Sequence, residues 1–196
     1  MVWFSKIMLG MLIAFTLLLQ GCQSSFVIDQ TNHFAQKFGI IHPFEITRWH
    51  HRVLSTNNHI SVVSDAVNNV DVIFLSEVIA KGLSPYFNHV QGGASRGALS
   101  DAIALTKVHG NNFLLYVEVV EANAVIEPKS VEPTTNYSRM KLTLTVVDIG
   151  SDAAVEKIVV TAETPHLNFW GNEIPDLLVK PIAYIGKSLT GTPADS

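Results

Sequence analysis

A mixed α/β fold of the α+β kind, about five strands with helices packed on the sheet, is what three observations in this 196-residue chain predict. Met140, Leu142, Leu144 and Val146 alternate with Arg139, Lys141, Thr143 and Thr145, the period of two expected of a strand with one dry face and one wet face. Two stretches with apolar residues three or four apart, 70–87 and 99–108, each lie between extended stretches, as crossover helices do. A third stretch of that spacing closes the chain.

In order, "HISVVS" from His59 reads as a buried strand between Asn57-Asn58 and Asp65. Val72, Leu75, Ile79, Leu83 and Tyr86 mark the first helix, whose last turn Pro85 disturbs. A short extended piece at His89-Val90 precedes Gln91-Gly92-Gly93, which reads as a flexible loop. Leu99, Ala102, Ile103 and Val108 mark the second helix, with Gly110 where a left-handed residue ends it. "NFLLYVEVV" follows as a strand with Phe113, Leu115, Val117 and Val119 on one side. The alternating strand and its return, carrying Ile158, Val160 and Ala162, form a hairpin about the turn Asp148–Asp152. The last helix spans 173–189; Pro175 suits its first turn, and Pro181 predicts a kink or break. The order is strand, helix, strand, helix, three strands, helix. The segment "FGIIHPFEITRWHHRVL" carries enough apolar residues to pack, but its pattern assigns no element.

The amino terminus directs the chain elsewhere than the cytosol. Lys6, an apolar stretch from Ile7 to Leu19, and Gln20-Gly21 have the three-part order of a secretory signal, too short in its apolar part for the roughly 20 residues of a membrane-spanning helix. Cys22, the only cysteine, stands directly behind it. A buried small residue or a reactive nucleophile are the other readings of a lone thiol. Leu19-Gln20-Gly21-Cys22 resembles the lipobox of bacterial lipoproteins, with Gln20 in place of the usual Ala or Ser. That resemblance implies acyl chains on Cys22 and cleavage before it. Two or more chains hold a protein to a membrane where one barely does. Gln23, where inner-membrane lipoproteins commonly carry Asp, implies by the same resemblance the outer membrane, with the domain facing the periplasm. The expected organisation is a signal over 1–21, a lipidated Cys22 and polar tether over 22–38, a globular domain over 39–191 and a tail over 192–196.

Composition narrows the function. With one cysteine there is no disulfide and, after acylation, no thiolate for metal or catalysis. The formal net charge is −4, one unit more negative once Lys6 is removed, and no basic face offers itself to nucleic acid. Eight histidines raise the question of a metal, above all Arg48-Trp49-His50-His51-Arg52. Adjacent histidines diverge on a strand or helix, no HExxH-like spacing exists, and flanking arginines repel a cation, so the five read as an exposed aromatic and cationic surface. Ser95 lacks the Gly-x-Ser-x-Gly or Ser-x-x-Lys context of a nucleophile; its loop reads as a cap for the next helix through Ser100 or a neighbour. Gly92, Gly93 and Gly97 precede no Lys-Ser or Lys-Thr pair, as a phosphate loop would require. Glu118 and Glu121 are acids on or near a strand, Glu118 on the face of Tyr116, and Trp170 reads as a core plug before the last helix. No catalytic, cofactor or metal residue is assigned; Cys22 is the one assigned site.

The order of elements resembles the small α/β domain shared by the amino-terminal part of TolB, the lipoprotein activators of penicillin-binding proteins and the curli secretion lipoprotein. "LSDAIALTKVHGNNFLLYVEVVEANAV", "RMKLTLTVVDIGSDAAVEKIVV" and "FWGNEIPDLLVKPIAYIGKSL" are similar to a family of Gram-negative lipoproteins known only as a domain of unknown function. The resemblance implies a membrane-anchored periplasmic module that binds or scaffolds without catalysis. Its partners would be the membrane, through acylated Cys22, and an envelope protein or another copy of itself. An envelope-polymer hydrolase with an acid or histidine site is the alternative.

Overall fold

The computed structural model of the chain describes residues 43–66, 70–125, 136–165 and 171–191. They form β1 (Phe44–Arg48), β2 (His59–Ser64), α1 (Val72–Leu83), β3 (His89–Ser95), α2 (Leu99–Val108), β4 (Phe113–Val125), β5 (Asn136–Asp148), β6 (Ala153–Glu163) and α3 (Ile174–Leu189). One six-stranded sheet has the order β1-β6-β5-β4-β2-β3. β3, β2 and β4 are parallel; β4, β5, β6 and β1 are antiparallel. The sheet is therefore mixed, as two crossovers followed by a hairpin require.

The period-two signal becomes the main core. Met140, Leu142 and Leu144 of β5 face Ala162, Val160 and Ile158 of β6, all buried beneath Leu177, Leu178, Ile182 and Ile185 of α3. Ile60 and Val62 of β2 meet Leu75, Ile79 and Leu83 of α1 on the same side. Each such side chain contributes roughly 1.5–3 kcal/mol on burial. α2 lies on the opposite face, where Ala102 packs with Val63, Leu114 and Tyr116 in a smaller cluster.

Three expectations change. There are six strands, not about five: β1 was missed because "FEITR" is a five-residue edge strand in which only Phe44 and Ile46 are apolar, too short for alternation to stand out. Gly92 and Gly93 are not a loop but part of β3, at a bulge against Val62 of β2. A Cβ on Gly92 would lie 2.6 Å from the Ser76 carbonyl oxygen, and Gly93 has φ +85, so glycine is what lets α1 lie against this edge strand. α3 runs on through Pro181 as one 16-residue helix, the buried proline ring joining the core.

Candidate functional site

α1 and α3 approach closely because two glycines leave room. A Cβ on Gly82 would stand 2.6 Å from Cγ2 of Ile182, and one on Gly186 would collide with the ring of Tyr86. Over this seam lies a groove of about 650 Å³ between Phe74, Val78 and Tyr86 on one side and Pro175, Val179 and Ala183 on the other. α1 begins at Asp71, whose carboxylate accepts from the amide of Phe74 at 2.9 Å; that cap fixes the first turn with Ile73 and Phe74 turned outward. Ile73 is 50% exposed, Phe74 41% and, on α3, Val179 58%. Glu77 and Lys81 are the charged side chains of the lining. The rest of the lining is mostly apolar, which suits the apolar side chains of another protein.

A second construction stands at the carboxyl end of α3. Glu156 points into the core face of β6 yet is ionised, because the chain from Arg48 to Arg52 closes around it. Its carboxylate accepts from the amides of Arg52 at 2.7 Å, His50 at 3.0 Å, Lys157 at 3.1 Å and Trp49 at 3.2 Å, and from the Arg48 guanidinium at 2.8 Å. Arg48 also donates to the Ser188 carbonyl at 2.9 Å, to the Ser188 hydroxyl and to the Arg52 carbonyl at 2.8 Å, so the same cation caps α3. Burial alone would raise the Glu156 pKa; the His50 and Arg52 amides and Arg48 outweigh it and hold the carboxyl below its ordinary value.

The residues singled out in the sequence disperse. His50 and His51 lie in this loop, and His50 presents its backbone amide to Glu156. His51 adopts φ 51, the left-handed turn that lets the loop close. His59 and His89, cross-strand neighbours, stack with ring centroids 4.0 Å apart. Among the described residues, no three His, Cys, Asp or Glu side chains gather as a metal site would. Ser95 ends β3, and α2 starts from Ala98 without a side-chain cap, so neither Ser95 nor Ser100 caps it. Glu118 lies beside Tyr116, whose hydroxyl donates to Asp65. Burial, with Asp65 and Glu118 beside it, pushes that hydroxyl up to about 12. Glu121 pairs with Arg139 at 3.9 Å at the surface. Cys22, the tether and Trp170 lie outside the described residues. Among the described residues, no helix is long and apolar enough to cross a membrane.

The groove and the Glu156 cradle escaped sequence reading. The outward turn of Phe74 obeys the same three-four spacing as the core, and the cradle joins residues 104 positions apart.

The fold is thus a six-stranded mixed sheet with two helices on one face and one on the other, carrying an open apolar groove. No protein-family model matches the chain, and no curated protein matches it. Among solved structures it is similar to the PelC dodecamer from Paraburkholderia phytofirmans, at 15% identity over 76% of this chain and 98% of that chain, TM-score 0.54. It is also similar to a lipoprotein from Neisseria meningitidis (16% identity, 65% of this chain and 96% of that chain, TM-score 0.37). TolB from Acinetobacter baumannii is a further match (11% identity, 79% of this chain and 32% of that chain, TM-score 0.37). A lipoprotein and TolB, both named among the resemblances drawn from the sequence, stand among these neighbours. At these identities the likeness is one of fold.

Proposed function

We propose that this chain is a lipid-anchored, non-catalytic docking module of the bacterial cell envelope, which assembles with copies of itself through the α1–α3 groove. The observation that carries the reading is the groove: about 650 Å³, with Phe74 and Val179 of its lining held open to water and Ile73 exposed beside Phe74. Exposed apolar surface of this kind costs solubility unless something covers it. A second copy is the occupant favoured, because PelC, of similar fold across nearly its whole length, is described as a dodecamer. Anchoring rests on the lipobox-like Leu19-Gln20-Gly21-Cys22, and the outer membrane on Gln23. The non-catalytic reading rests on the groove's lining and on the dispersal of His50, Ser95 and Glu118 to separate places in the fold.

The test is the oligomeric state of the full chain, extracted from membranes after growth with radiolabelled palmitate. Label on the wild type that Cys22→Ser loses supports the anchor. An oligomer that Phe74→Glu with Val179→Asp reduces to monomer supports the groove. A wild type that is monomeric at high concentration overturns the second part, and an unlabelled Cys22 the first. Turnover of peptidoglycan or glycan that disappears in Glu118→Gln or His50→Ala would replace the reading with a hydrolase.

A further inference from the structure

The five side chains from Trp49 to Val53 are all exposed, although two are large and apolar: Trp49 is 51% exposed and Val53 57%. The loop is not open by default. The Glu156 carboxylate, itself without solvent exposure, fixes the amides of Trp49, His50 and Arg52 from inside, and Trp49 N–H also donates to the Lys157 carbonyl at 3.2 Å. A backbone pinned from within leaves its side chains directed outward and costs little further ordering when they meet a surface. Among the described residues, the Arg52 guanidinium enters no ion pair, and the Trp49 indole and His50 imidazole make no hydrogen bond. Lys157, exposed on the adjoining strand, adds a second cation.

An indole with a free N–H, a small apolar side chain and an unpaired cation on one rigid loop, with a second cation on the adjoining strand, match a layer that is apolar below and anionic above, which is the headgroup region of a bilayer. About 20 residues separate Cys22 from β1, a reach of up to roughly 70 Å when extended, so a tether rooted in the membrane allows this loop to return to it. We propose that the Trp49–Val53 loop is a membrane-surface contact: Trp49 and Val53 enter the headgroup layer, and Arg52 and Lys157 meet anionic lipid phosphates. The proposal rests on the reading of Cys22 as the lipid anchor, and it gives the domain a fixed orientation on the membrane.

The full chain, its one native thiol acylated, is labelled with a nitroxide at Val53→Cys and, as reference, at Val120→Cys, an exposed position on β4 towards the opposite end of the sheet. It is reconstituted in phosphatidylcholine vesicles with and without phosphatidylglycerol. Collisions with oxygen, which partitions into lipid, are compared with collisions with a nickel chelate, which does not. The expected result is a higher oxygen-to-nickel ratio at position 53 than at 120, rising with phosphatidylglycerol. Arg52→Glu should weaken the contact by roughly fivefold or more, the worth of one basic residue at an anionic surface, and Trp49→Ser should weaken it in both lipids. Equal ratios at the two positions in both vesicles overturn the proposal. Should the chain wash off the vesicles, or take label at Cys22, the anchor has failed and the loop is judged by binding of the free chain to phosphatidylglycerol vesicles. Binding lost in Trp49→Ser sustains the contact, and no binding overturns it.

Discussion

Arg48 with Glu156 and Arg139 with Glu121 and Glu163 are the same chemistry in two settings. The first pair meets at 2.8 Å with side chains 6% and 0% exposed; the second set meets at 3.9 and 3.3 Å with all three side chains more than a third exposed. In the first, the carboxylate has four amides and a guanidinium in place of water. In the second, water competes for every contact. Proximity is therefore a poor guide to what an ion pair contributes. What matters is whether the surroundings leave either charge an alternative. At Glu156 they leave none, and so the pair is tied to the closure of the 48–52 loop and the capping of α3.

The largest effect expected is that of Glu156→Ala. It leaves the buried Arg48 guanidinium without its counter-charge and the His50 and Arg52 amides without their acceptor, and the cost should be about 3–5 kcal/mol, a fall of roughly 10 °C in Tm. Denaturant or thermal unfolding checks it. A loss below about 1 kcal/mol would mean that the buried and exposed pairs do not differ, and the contrast would fail.

Much of this architecture was legible because burial imposes a period. Met140 to Val146 and Ile158 to Ala162 write the hairpin openly, and Leu75, Ile79 and Leu83 write α1, since each repeats its environment every two or every three to four residues. β1 was not legible, for at the sheet edge it buries too few side chains to repeat anything. Gly92-Gly93 misled because the pair that usually marks a loop here makes room for α1 on an edge strand. Trp49 to Arg52 do form an exposed aromatic and cationic stretch, but Arg48, which the sequence groups with them, is buried against Glu156. What holds the stretch could not be seen, because Glu156 follows an alternating pattern in which an acid at a core position looks like a fault until the loop is folded over it. The groove was hidden for a related reason: an amphipathic spacing shows that a helix has an apolar side, but not where its neighbour stops covering it.

Acid should act on the first pair in a milder way than deletion, since a protonated Glu156 keeps its shape and some of its amide bonds. Its folded pKa lies below the ordinary 4.5, so the unfolded chain takes up the proton first as pH falls. The stability it contributes is complete above that unfolded value and is lost as pH drops from 4.5 through the folded pKa. Glu156→Gln, which cannot titrate, should show a shallower decline over that window in a series of denaturant titrations. Parallel declines in the two proteins would assign the acid sensitivity to other carboxylates and detach it from the cradle.

Arg139 should give the smallest effect. It sits on the solvent face of β5, opposite Glu163 of β6 and Asn123 of β4 and within reach of Glu121, so three side chains share a charge that water also solvates. Holding long side chains in one arrangement costs rotamer entropy that nearly offsets the attraction, and Arg139→Ala should therefore lower stability by under about 1 kcal/mol. Added salt should erase most of that difference, because charges this exposed are screened over about 8–10 Å, whereas the cost of Glu156→Ala should barely move. The salt dependence is the sharper measurement of the two, since it separates the environments even where the absolute losses overlap. A salt-insensitive loss at Arg139 would show that the open face of the hairpin is less wet than its exposure indicates, and that something there is being held as firmly as Glu156.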